Sequence, residues 1–154
     1  MSHAPDRRWL TLAIVGAAFF MTVLDVAIVN VAIPSIQRDL NVAETTVQWV
    51  LTAYAITFGG FLLLGGRMAD LLGRRRIFIV GLILFTLASL VCGLANSAGV
   101  LIAARAAQGL GAAIISPAAL SIVTTTFEEG AERNKALGIW GALGGSGAAA
   151  GVLF

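Results

Sequence analysis

Charged residues are scarce in this sequence. They make up 12% of its 154 residues, about half the share found in an ordinary soluble domain, and a water-soluble surface needs more. The net charge is only +2, and the basic residues lie in short clusters, without the basic stripe that nucleic-acid binding requires. The single cysteine, Cys92, excludes an intrachain disulfide framework and a cysteine-pair metal site. We therefore expect no nucleic-acid partner and no metal.

A catalytic or cofactor site cannot be assembled from the sequence pattern either. Gly145-x-Gly147-x-x-Ala150 formally fits a dinucleotide fingerprint, but that motif needs a preceding strand and a βαβ unit. Here it lies within a membrane-helix pattern. No nucleophile, base and orienting residue are arranged together. We expect neither enzyme activity nor a cofactor.

Apolar and small residues dominate instead. Hydrophobic residues make up 58% of the chain, against roughly 45–50% in a globular domain even with glycine included. The mean hydropathy is +0.93. The 18 glycines are of the kind that let helices approach closely inside lipid. The composition predicts an integral membrane protein whose surroundings are a lipid bilayer.

Charge-free runs divide the chain into spans, since about 20 apolar residues cross a bilayer. After a cytoplasmic tail at 1–8, we predict the N-terminal part of a transporter domain at 9–154, with spans at about 9–33, 46–66, 77–95, 98–127 and 136–154. The turn formers Asn96, Ser97 and Gly99 divide the longest run. The expected fold is an all-α polytopic bundle of about 4.5 transmembrane helices. The chain stops inside the fifth run, which predicts a truncated reading of a longer gene that does not transport alone.

The distribution of arginine and lysine orients these spans, because short cytoplasmic loops carry an excess of both. With the N-terminus in the cytoplasm, the outer loops hold only Arg38, and Arg105 lies inside the membrane. The inner side then holds eight basic residues: Arg7, Arg8, Arg67, Arg74, Arg75, Arg76, Arg133 and Lys135. We expect a multi-pass protein of the plasma (inner) membrane with a cytoplasmic N-terminus.

Two ionisable residues, Asp25 and Arg105, fall within apolar runs. Each costs about 2.5–3.5 kcal/mol at mid-membrane on insertion scales, so such residues normally face a cavity or a partner. Burial favours a protonated carboxyl, whereas a nearby guanidinium favours an ionised one. A carboxyl between these influences can exchange a proton, while the arginine keeps its charge. The alternative is a buried ion pair that only fixes helix register.

Three segments resemble motifs of the major facilitator superfamily, specifically its drug:proton antiporters with fourteen spans (the EmrB/QacA type). LDVAIVNVAIP (Leu24–Pro34) resembles the first-span motif of that group. GRMADLLGRRRI (Gly66–Ile77) resembles the loop signature G-x-L-A-D-R-x-G-R-[KR], and LIAARAAQGLGAA (Leu101–Ala113) resembles the fourth-span R-x-x-Q-G motif. The three motifs occur in the family's order and cover most of the chain.

The resemblance implies roles for individual residues. Proton coupling or cavity lining would fall to Asp25, Arg105, Gln108 and Asn30. A cytoplasmic gate between the second and third spans would comprise Gly66, Asp70, Gly73, Arg74 and Arg75. In the family the Asp caps a helix of the other half, where the helix dipole stabilises a carboxylate. The alternative for the arginines is a positive-inside anchor.

The fifth run, GIWGALGGSGAAAGVLF, resembles the antiporter motif of that helix, but Val152 stands where the family has proline. The run contains two pairs of glycines four positions apart, and such small-x-x-x-small pairs favour close helix packing. The alternative role for these glycines is a hinge in the helix. The expected packing glycines are Gly109, Gly141, Gly145, Gly147 and Gly151.

The resemblance implies a proton-coupled multidrug efflux transporter that works by alternating access and confers antibiotic resistance. Its partners would be small hydrophobic or cationic molecules, protons and the missing C-terminal half. Two alternatives stay open: a major facilitator carrier for a sugar or metabolite, and a non-transporting membrane scaffold.

Overall fold

The computed structural model describes residues 3–127 and 129–153 and consists, within them, of five α-helices. Their bounds are α1 His3–Leu40, α2 Glu44–Leu72, α3 Arg74–Leu94, α4 Ala98–Thr126 and α5 Ala131–Leu153. By length and composition, the first four helices can each cross a membrane. The all-α bundle expected from the apolar runs is confirmed.

The helix α4 lies at the centre of the bundle. It packs along α2 on one side and α3 on the other, while α1 packs mainly against α5 and also touches α4. Small residues allow this arrangement. A Cβ at Gly111 would lie 2.9 Å from the backbone nitrogen of Phe85 on α3, so only glycine permits that approach. The central segment Gly111–Ile115 is buried throughout.

Large apolar side chains cover the outside of the bundle. Leu63 is 89% exposed, Leu94 71% and Leu90 60%. A soluble protein would not present so many large apolar side chains to water. Three polar or charged residues are buried in the described part of the chain: Thr22, Arg105 and Gln108. This distribution suits a lipid solvent outside and a polar site within.

The helices extend beyond the apolar runs. The helix α1 begins at His3 and continues through Pro34 to Leu40, so residues 3–8 of the expected tail and part of the first expected loop are helical. Proline removes one backbone donor from a helix, but such prolines are tolerated in membrane helices when nearby groups compensate. The run 77–104 does break at Ala95–Ser97, and the Ser97 hydroxyl accepts from the Val100 N–H over 3.3 Å.

The turn between α4 and α5 is fixed by an arginine. Arg133 Nε donates to the Phe127 carbonyl over 3.1 Å, and its Nη2 donates to the Thr124 carbonyl over 2.5 Å. The last carbonyls of a helix have no partner within it, and a cation there interacts favourably with the helix dipole. Arg133 therefore caps α4 while standing in the first turn of α5.

Candidate functional site

Asp25 of α1 and Arg105 of α4 form a direct ion pair. Arg105 Nη1 donates to Asp25 Oδ2 over 2.6 Å, and the side chains of Arg105 and Asp25 are 2% and 20% exposed, respectively. An uncompensated buried charge is strongly destabilising, whereas a paired and hydrogen-bonded one is tolerated. The two charges that the sequence places in apolar runs therefore neutralise each other.

Gln108 bridges both members of the pair. Its Oε1 accepts from Arg105 Nη1 over 2.8 Å, and its Nε2 donates to Asp25 Oδ1 over 3.0 Å. A side-chain amide can accept and donate at the same time. The Cys92 thiol of α3 also donates to Gln108 Oε1 over 3.5 Å. The amide thus orients the carboxylate and guanidinium and connects them to a third helix.

The helix α2 supplies two further contacts to the guanidinium. Arg105 Nε donates to the Val50 carbonyl over 3.2 Å, and Arg105 Cζ lies 4.3 Å from the centroid of the Tyr54 ring. Gly109 permits this proximity, because a Cβ there would collide with the Tyr54 carbonyl and the Thr57 hydroxyl. We call Asp25, Arg105, Gln108, Tyr54 and the Val50 carbonyl the charge network.

An apolar cavity of about 480 Å³ opens beside the charge network. Its walls come from α1, α2, α4 and α5 and include Phe19, Thr22, Val26, Tyr54, Phe58 and Ser116. Sites for small molecules are usually concave, mostly apolar and about 300–1,000 Å³ in volume. This cavity has that character, with one member of the charge network, Tyr54, in its wall.

Asn30 lies apart from the other residues expected to couple protons. Its side chain is exposed, and its Nδ2 donates to the Val26 carbonyl of its own helix over 2.8 Å. Of the four expected coupling or cavity residues, the structure brings together Asp25, Arg105 and Gln108.

The expected gate residues lie mostly on helices. Gly66 and Asp70 belong to the last turns of α2, Arg74 and Arg75 begin α3, and Gly73 alone separates the helices. The φ of Gly73 is +104°, a conformation that residues with a Cβ rarely adopt. A single glycine therefore reverses the chain between two spans.

The side chains of this connection contact α4. Arg74 Nη2 lies 3.9 Å from Asp70 Oδ1, with both side chains substantially exposed. Arg74 Nε donates to the Ser121 hydroxyl of α4. Surface pairs of this kind contribute only about 0–1 kcal/mol, so the carboxylate of Asp70 is not committed to a strong partner.

The expected packing glycines differ in their surroundings. Gly109 and Gly147 are buried, and a Cβ at Gly147 would lie 3.0 Å from the Phe20 carbonyl of α1. Gly141 and Gly145 are exposed, with open space where a Cβ would point. Gly151 belongs to α5, and its surroundings are not among those that the structure describes.

Sequence reasoning missed several contacts of the site. Tyr54, Cys92 and Ser121 carry no motif, and a backbone carbonyl such as that of Val50 leaves no trace in a sequence. Tyr54 is the one tyrosine of the chain, and a phenol within an apolar run is the single signal that could have indicated a polar site.

Comparison with known proteins identifies the family. The profile of the Major Facilitator Superfamily matches residues 15–154. The chain belongs to this superfamily. It is accordingly a multi-pass membrane protein, in agreement with its long apolar helices.

Its relatives include named resistance and export proteins. The chain is 55% identical over 152 residues to the puromycin resistance protein pur8 of Streptomyces alboniger, covering 98% of this chain and 30% of that protein. It is 47% identical over 142 residues to the cephamycin export protein CmcT of Amycolatopsis lactamdurans, covering 92% and 29%. It is 46% identical over 142 residues to the multidrug resistance protein Stp of Mycobacterium tuberculosis, covering 92% and 26%. The chain thus spans less than a third of the length of each of these relatives.

Proposed function

We propose that this chain supplies the proton-coupling helices of a drug efflux transporter that works by alternating access. The observation that carries the proposal is the Asp25–Arg105 ion pair beside an apolar cavity of about 480 Å³. The names of the relatives, which are resistance and export proteins, support export of small molecules over uptake of sugars. The substrates would be small hydrophobic or cationic molecules.

The charge network would couple protons to substrate through its net charge. With Asp25 ionised, the carboxylate and guanidinium cancel. When Asp25 takes up a proton, the guanidinium keeps its charge, and a positive site then stands beside the cavity. A cationic substrate is repelled by it, so that proton and substrate compete. This competition is what an exchanger requires, and it involves no catalytic step.

The cavity would be completed by helices beyond the five described. Transport pathways of this superfamily lie between two helical halves, and the relatives are about three times as long as this chain. We infer that a C-terminal half closes the open side of the cavity. On the cytoplasmic side Asp70, with its weakly engaged carboxylate, would contact that half and open the gate when the contact breaks.

The positive-inside rule supports a cytoplasmic N-terminus in the plasma (inner) membrane. With that orientation, the α2–α3 and α4–α5 connections, which carry most of the basic residues, face the cytoplasm. The cluster Arg74–Arg76 lies at the first of them.

The test is ethidium efflux from a drug-sensitive bacterial host that expresses the complete open reading frame. Asp25→Asn should abolish efflux driven by a pH gradient, with the protein still inserted in the membrane. The matched control is Asp39→Asn, the same change at an exposed site on α1, which should leave efflux unchanged. Undiminished efflux with Asp25→Asn would refute proton coupling through this residue.

A further inference from the structure

Tyr54 contacts both parts of the candidate site, the charge network and the apolar cavity. It is 8% exposed, it stands in the wall of the apolar cavity, and its ring centroid lies 4.3 Å from Arg105 Cζ. A guanidinium over an aromatic face is attracted by the ring quadrupole, more strongly where water is excluded. The Tyr54 side chain therefore contacts the fixed positive charge and also lines the cavity.

The contacts that hold the guanidinium fall into two groups. The Asp25 carboxylate holds the guanidinium through its negative charge and does so only while it is ionised. The Tyr54 ring, the Val50 carbonyl and the Gln108 amide contact Arg105 without depending on the proton of Asp25. When Asp25 is protonated, these three groups remain to hold the guanidinium in place. Of the three, only the ring also faces the cavity.

The aromatic contact continues into the cavity. Phe58, one turn along α2, stacks on Tyr54 with ring centroids 6.1 Å apart and an interplanar angle of 11°. Phe58 also lines the cavity. Guanidinium, Tyr54 and Phe58 thus form a row from the charge network to the space where a ligand would lie.

We propose that Tyr54 is a positioning residue that holds the Arg105 guanidinium at the cavity wall in both protonation states of Asp25, so that the charge uncovered by protonation acts on the ligand. The proposal rests on the proposed function and names the residue that links proton to substrate. Without the ring, the Val50 carbonyl and the Gln108 amide alone hold the guanidinium after protonation. Neither residue lines the cavity, so the positive charge is no longer held at the cavity wall and the proton opposes the ligand less.

Three titratable side chains face the guanidinium or its partners, from three different helices. They are Asp25 of α1, Tyr54 of α2 and Cys92 of α3. Between about pH 5.5 and 7.5 an ordinary tyrosine and an ordinary cysteine remain largely protonated. A pH response in this window that Asp25→Asn abolishes is therefore assigned to the Asp25 carboxyl group.

The experiment measures ethidium binding to the detergent-solubilised protein, produced from its complete open reading frame, by fluorescence anisotropy at about pH 5.5 and 7.5, the same window. Ethidium suits the test because its positive charge does not change in this range. In the wild-type protein binding should be tighter at the higher pH, and Tyr54→Phe, which keeps the ring, should preserve the ratio of the two dissociation constants. Tyr54→Leu should bring that ratio close to one, because the cation–π contact that holds the guanidinium at the cavity wall is lost.

Phe58→Leu is the matched control. It removes an aromatic ring from the same helix and the same cavity wall, but not from the guanidinium. It should weaken ethidium binding by the same factor at both pH values and leave the ratio of the two dissociation constants unchanged. If Tyr54→Leu behaves like Phe58→Leu, the role of Tyr54 is overturned.

Failure of the proposed function gives a different result. Wild-type binding that does not respond to pH, together with full efflux by Asp25→Asn, would overturn both proposals. A pH response that Asp25→Asn abolishes and Tyr54→Leu retains would overturn only the role of Tyr54.

Discussion

The Asp25→Asn substitution measures how much the ion pair stabilises the bundle. Asparagine has nearly the same shape as aspartate but no charge, so the guanidinium of Arg105, a residue 1% exposed, would lose its counter-ion. Removing one partner of a buried pair costs roughly 3–5 kcal/mol. Because the Val50 carbonyl and Gln108 amide would still accept from the guanidinium, we expect a loss of about 2–3 kcal/mol, at or below the low end of that range.

The assay is equilibrium unfolding of the protein in mild detergent by titration with SDS, followed by helical circular dichroism. A double-mutant cycle with Arg105→Gln gives the interaction energy directly. Each single substitution leaves one charge without its partner, whereas the double substitution removes both. The double variant should therefore be more stable than the sum of the single effects predicts, by at least about 1.5 kcal/mol.

Asp39→Asn is the control for the loss of an acidic residue from α1. Asp39 is exposed, and substitutions at such positions usually change stability by less than about 0.5 kcal/mol. If the effects of Asp25→Asn and Arg105→Gln add within about 0.5 kcal/mol, the 2.6 Å contact contributes nothing, and the reasoning about the charge network is wrong.

Three further predictions concern packing and the surface, each measured by the same SDS titration. Gly109→Ala should lower the free energy of unfolding by about 1–3 kcal/mol, since a Cβ would overlap α2 and overpacking costs that much. The control is Gly138→Ala, where a Cβ meets open space and stability should not change. Equal losses in the two variants would contradict the close α2–α4 contact. Gly73→Ala should cost about 1–3 kcal/mol, because φ of +104° strains any residue with a Cβ; an unchanged midpoint would refute that conformation. Replacing Glu132 by Gln removes the exposed 2.9 Å pair with Arg8 and should cost less than about 1 kcal/mol, so a larger loss would show that the pair is shielded from water.

The helices and the two charges within their apolar runs could be predicted from the sequence because lipid imposes strict rules. A charged residue in an apolar run carries a cost that requires a partner or a cavity, and this requirement alone singles out Asp25 and Arg105. Helix ends follow no such rule. Outside the membrane, hydropathy no longer decides whether a residue is helical, so the extension of α1 past Pro34 could not be inferred from the apolar run.

The direction in which a small residue faces could not be predicted either. In α5, the spacing of Gly141 and Gly145 is as suitable for packing as that of Gly147, yet the first two are exposed and the third is buried against α1. A four-residue repeat shows which residues lie along one face of a helix, but it does not show which other helix that face contacts. Gly144 is not part of the repeat, yet a Cβ added at Gly144 would lie 2.9 Å from the Phe19 ring.

The position of the charge network follows from the surroundings of α4. Glycines let α2 and α3 approach its backbone closely, so groups of both helices lie within reach of polar side chains on α4. Arg105 and Gln108 lie three positions apart and therefore share one face, which meets the carboxylate of α1. The cavity begins beside them because the apolar residues of α1 and α5 do not fill the space next to Tyr54. The charge network thus lies where α1, α2 and α4 meet, beside the cavity in which we propose that a ligand and a proton influence each other.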